Sequence, residues 1–76
     1  MPTAFIEDGY RFKIYPNDHP PPHVHVQKAE HEARVRFDQI SIMSNEGFNS
    51  RELGKIIELI KEHQETLLAM WALYHG

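Results

Sequence analysis

No cysteine occurs among the 76 residues, which excludes disulfides and thiolate metal ligands and suits a reducing, cytoplasmic setting. No apolar run approaches the roughly 18 residues that a membrane-spanning helix needs. The N-terminal residues also lack signal-peptide character, so no membrane association is expected. Positive charge is not in excess either. Eight Lys and Arg stand against eleven Asp and Glu, for a formal net charge of −3. That balance argues against indiscriminate nucleic-acid binding, although it does not say where the cations are concentrated. Internal repeats, low-complexity tracts and linkers are absent as well. What is present is 41% hydrophobic and 25% charged, the composition of an ordinary globular protein. The length leads to an expectation of one domain over residues 1–76 with a single small core. Such a core leaves a narrow stability margin, so a homodimer or docking on a partner protein is a fair expectation.

The least ordinary stretch is Pro20-Pro21-Pro22-His23-Val24-His25-Val26. On a strand, that alternation puts His23 and His25 on one face and Val24 and Val26 on the other. Around it the chain reads as a series of short strands. Met1 to Ile6 reads as a first strand, with Pro2 at its edge, and Asp8-Gly9 as a hairpin turn. Tyr10 to Tyr15 alternates cleanly. Pro16 to Pro22 is a loop, with a turn at Asn17-Asp18 and extended polyproline conformation at its three prolines. His23 to Lys28, Glu32 to Phe37 and a short Ile40 to Met43 complete the strands, and Asn45-Glu46-Gly47 ends the last.

Helix follows. Asn49 with Glu52 three residues on has the form of a capping box. At 100° per residue Leu53, Ile56, Ile57, Ile60, Leu67, Leu68, Trp71 and Tyr74 fall on one stripe, with Gln64 an unexpected polar residue inside it. A straight helix from Ser50 to His75 would measure about 39 Å, at about 1.5 Å per residue. The domain should be only about 29 Å across. A break around Glu62 to Glu65 is therefore expected. Leu59, Met70 and Leu73 fall off the stripe and would face a second subunit or a partner. The expected fold is α+β: a small three- to five-stranded, mostly antiparallel sheet with a C-terminal helix or kinked helix pair on its apolar face.

The other sheet face would carry Arg11, Lys13, Tyr15, His23, His25, Gln27, Arg34 and Arg36, with most negative charge, Glu46 included, elsewhere. Any sheet covered on one side must show polar residues on the other, and Lys and Arg also protect sheets from unwanted pairing. The functional alternative is a surface for an RNA backbone: arginines clamp phosphates and Tyr15 stacks on a base. Two imidazoles, which titrate near neutral pH, are then suited to act as base and acid in attack of a 2′-hydroxyl. His23 and His25 would hold those roles in a metal-independent ribonuclease without cofactor, with Arg34 or Arg36 on the phosphate.

The same His-x-His pair also suits a metal, with a third ligand from His19, His31 or Glu32, although the neighbouring cations oppose a divalent ion. His63 and His75 read as surface or helix-end residues. A third reading is a protein-interaction module working through Leu59, Met70, Leu73 and the helix end.

The order of these features resembles a family of small bacterial and archaeal proteins known only as a domain of unknown function. The residues that carry the resemblance are the Met-Pro-Thr start, Asp8-Gly9-Tyr10-Arg11-Phe12 and Pro21-Pro22-His23-Val24-His25-Val26. Gly47-Phe48 before the helix belongs to it too, as do Leu68, Trp71, Tyr74 and Gly76 near the end. Ile40 to Met43 departs from the usual family sequence. The resemblance implies a gene lying beside a second small gene, as in toxin–antitoxin pairs, and hence a small cognate partner protein. It implies no role for His23 or His25.

Overall fold

The computed structural model describes residues 3–75; Pro2, expected to begin an edge strand, lies outside them. Five strands form one antiparallel meander in chain order: β1 (Thr3–Glu7), β2 (Tyr10–Lys13), β3 (His23–Lys28), β4 (His31–Arg36) and β5 (Ser41–Glu46). Two helices follow, α1 (Ser50–Glu62) and α2 (Gln64–His75), giving the expected α+β fold. The β1–β2 turn needs left-handed backbone at both central residues, and Asp8 (φ 54°) and Gly9 (φ 82°) supply it. The Pro20–Pro21 peptide bond is cis, where extended polyproline conformation was expected.

The fifth strand runs further than its sequence suggests. Asn45 pairs with Ala33 and Glu46 with Glu32, so the ladder continues through two of the three residues expected to end it. The strand stops at Gly47, which has φ 106°. Asn45 then fixes the entry to α1, because its side chain donates to the Phe48 carbonyl (2.9 Å) and accepts from the Phe48 N–H (3.1 Å).

The apolar alternation of β2 to β4 does what it predicts. Phe12, Ile14, Val24, Val26, Val35 and Phe37 are fully buried, and Ile56, Ile60 and Leu67 of the helices close over them. The capping box forms: the Asn49 side chain accepts from the Glu52 N–H, and the Glu52 carboxylate accepts from the Asn49 N–H.

The helix breaks at His63, inside the expected window, and the longest extent of the molecule is 33 Å. Gln64 explains itself there, donating to the Phe37 carbonyl at 2.7 Å. The break also resets the helical phase, and so corrects the single stripe read across it. Leu59, expected to face a partner, is in the core (3% exposed), and Met70 packs against that core. Leu68 and Tyr74, expected inside, are exposed at 39% and 36%.

Candidate functional site

Three local features bring the site together. Strand pleating puts His23, His25 and Gln27 on the face of β3 opposite Val24 and Val26. A turn with Pro16 at its first corner is closed by the Asp18 N–H donating to the Tyr15 carbonyl (3.1 Å). The returning loop is held by the Phe37 N–H donating to the Pro22 carbonyl (3.2 Å). Together these set the Asp18 carboxylate against both imidazoles. Its Oδ2 lies 3.1 Å from His23 Nε2 and 2.9 Å from His25 Nε2.

The other ring nitrogens are engaged as well. His23 Nδ1 is 2.9 Å from the Pro21 carbonyl, and His25 Nδ1 makes a longer 3.4 Å contact with Glu32 Oε2. Gln27 donates to that same Glu32 oxygen at 3.2 Å. His23 is buried, at 6% exposure, with its ring 5.7 Å from that of Trp71. The His25 side chain is 15% exposed, and the Tyr15 ring meets it edge-on at 4.6 Å.

The pair expected to stand freely on a polar face is thus held in a carboxylate cluster. Asp18, read from sequence as a turn residue, is the member that was missed. The signal for it was weak: an acidic residue five positions before His23, in a loop whose prolines and turn fold it back over the strand. Of the three proposed third ligands, Glu32 contacts His25. His19 is exposed, and the His31 ring packs on Phe48 (5.5 Å between centroids).

Strand register places the expected phosphate-binding residues. Lys13 lies opposite His25, His25 opposite Arg34, and Arg34 opposite Ser44, to whose hydroxyl the Arg34 Nε–H donates at 3.1 Å. Arg11 lies opposite Gln27, where a depression of about 350 Å³ is lined by Gly9, Arg11, Gln27, Lys28 and Ala29. Among the described residues Arg11, Lys13 and Arg34 form no salt bridge. Arg36 is engaged: it holds Asp38 bidentately at 2.6 and 3.0 Å. That hydrogen bonding keeps the Asp38 carboxyl below its ordinary range.

The face is less basic than its alternation implied. Glu46, expected elsewhere, lies on it directly opposite Glu32. These two line a depression of about 290 Å³ with His25, Arg34 and Ser44. Counting Asp18 and Asp38, carboxylates border the cations on both sides of the site.

The remaining histidines lie apart. His63 caps α1, packs its ring at a tilt on Phe5 (4.1 Å between centroids) and meets Glu7 Oε1 at 3.0 Å. His75 ends α2, stacks on Trp71 (3.8 Å) and has Nδ1 3.1 Å from the Trp71 carbonyl.

Over residues 9–72 the chain matches the family described as a domain of unknown function (DUF4160). No curated protein and no solved structure matches it.

Proposed function

Taking as premise that the chain belongs to the DUF4160 family, a domain of unknown function, we propose that its open sheet face binds the phosphate backbone of single-stranded RNA. In this reading the protein is one member of a two-gene, toxin–antitoxin-like module, a context that rests on the family resemblance alone. The observation that carries RNA binding is the trio Arg11, Lys13 and Arg34, flanking His25 and Gln27 in register and free of salt bridges among the described residues. Lys13 and Arg34 are two strands apart, about 10 Å at about 4.8 Å per strand, so they meet different phosphates. Tyr15 supplies an aromatic ring beside them for stacking. Binding is favoured over cleavage by the histidine pair, because His23 is buried and its Nδ1 is held at the Pro21 carbonyl.

The test is titration of a labelled single-stranded RNA at several salt concentrations. Three phosphate contacts predict a slope of log K against log salt of about −2, at about 0.7 per contact. Lys13→Ala with Arg34→Ala should weaken binding and reduce that slope to under half. No binding at low salt, or equal binding by the double variant, would refute the reading.

A second reading has its own support. Beyond Glu65, α2 has no Asp, Glu, Lys or Arg, and Leu68 and Leu73 (81%) are exposed on it. A helix apolar on all sides is ordinarily covered, which suits docking of a partner protein there.

A further inference from the structure

We propose that Asp18, His23 and His25 form a three-ligand site for a divalent transition-metal ion of the zinc class. The site is independent of RNA binding and follows from the convergence of these atoms and the protons available to them. Four ring nitrogens face oxygen atoms: the Pro21 carbonyl, Glu32 Oε2, and Asp18 Oδ2 twice. A carbonyl and an ionised carboxylate can only accept, whereas each neutral imidazole has a single N–H. Two neutral rings therefore donate two protons to four contacts. The proton of His23 belongs on Nδ1, because the Pro21 carbonyl can take nothing else. Its Nε2 lone pair then points at the Asp18 oxygen, lone pair against lone pair. The proton of His25 serves either Nδ1, toward Glu32 at 3.4 Å, or Nε2, toward Asp18 at 2.9 Å, and one of its two contacts lacks a donor in each case.

A cation among the three converging atoms resolves this. Supplying the missing hydrogens as protons would take two of them, placed on the rings or on the Asp18 and Glu32 carboxyls. One divalent ion resolves the conflict with both rings neutral. The remaining geometry is that of a ligand shell. The three donor atoms lie within 4.8 Å of one another. The Nε2–Oδ2 separations of 2.9 and 3.1 Å are hydrogen-bond distances. Tetrahedral ligands at about 2.1 Å from an ion stand about 3.4 Å apart, so an entering ion spreads the three atoms by a few tenths of an ångström. Each ring has its far nitrogen on an outer acceptor, a backbone carbonyl for His23 and a carboxylate for His25. Those are the partners that fix the tautomer of metal-binding histidines. Two imidazoles with one carboxylate suit zinc, iron, cobalt, nickel or copper better than magnesium or calcium. The neighbouring cations Lys13 and Arg34 oppose an ion, but Asp18 and Glu32 contact the rings directly and offset its two charges.

The experiment is Zn²⁺ titration of the full chain after chelator treatment and dialysis, followed by calorimetry. One ion should bind per chain and saturate. Asp18→Asn and His25→Gln should each weaken binding at least tenfold, and Glu32→Gln, acting through His25, by about 10- to 100-fold. His63→Gln, which disrupts the separate Glu7, Glu62 and His63 cluster, should leave it unchanged. Should a site variant fail to fold, ¹⁵N spectra of the wild-type imidazoles decide: Zn²⁺ should shift Nε2 of His23 and His25 and spare His63. Absence of saturable binding, full affinity in Asp18→Asn, or shifts at other histidines alone would overturn the assignment.

Discussion

Arg36 and Asp38 are two residues apart, and their pairing decides what the open face offers a ligand. The guanidinium grips the carboxylate through two nitrogens, so an arginine that alternation places among the free cations is held by a local partner. Hydrogen bonding by Arg36 is the main cause that keeps the Asp38 carboxyl below its ordinary value. A depressed folded-state value means that the carboxylate adds stability above the unfolded value of about 3.9, stability that is lost as pH falls through the lower folded value. A carbon-detected NMR titration should therefore find the Asp38 midpoint below about 3.9, returning toward it in Arg36→Gln. Equal midpoints in the two proteins would contradict the pairing. Residue types alone could not reveal this contact or that of Asp18 with the histidines. Each depends on a turn bringing back a side chain that pleating does not place.

At the scale of elements, local chemistry wrote most of the fold into the sequence. Period-two alternation marked β2 to β4, Asp8-Gly9 marked the first hairpin, and Asn49 with Glu52 marked the start of α1. The helix break was legible for two reasons: a straight helix outruns the domain, and Gln64 is wrong for a core stripe. The phase beyond the break was not legible, because helical periodicity does not continue through His63. Hence Leu68 and Tyr74 turned outward, whereas Leu59 lies before the break and is buried with Ile56, three residues earlier on the stripe of α1 taken alone. The end of β5 was misplaced because Asn45 and Glu46 are turn-formers by composition but are held in the ladder by Ala33 and Glu32. Gly47 is the real punctuation. Its φ is 106°, and a Cβ there would sit 2.8 Å from the His31 ring. Gly47→Ala should therefore cost about 1–3 kcal/mol in urea denaturation; a neutral effect would show that the joint between β5 and α1 is not constrained in this way.

The whole molecule offers two surfaces that need an explanation. One is the sheet face, where Arg11, Lys13 and Arg34 surround the cluster of Asp18, His23 and His25. The other is the uncharged outer side of α2. The alternation of the strands separates the polar sheet face from the apolar one, and that much was legible, although His23 at the start of β3 reaches Trp71 of α2. The charge balance of the sheet face was not, because Glu46 joins it only through the register of β5. The two surfaces make opposite demands: the first suits an anionic backbone, the second an apolar partner. The measurement that separates them most directly is backbone amide NMR of the full chain during titration with a single-stranded RNA. If the sheet face is the working surface, shifts should concentrate at Arg11 to Lys13, His25 to Gln27 and Arg34, and fade as salt is raised. Shifts confined to α2 around Leu68 and Leu73, or none at any RNA concentration, would contradict the account.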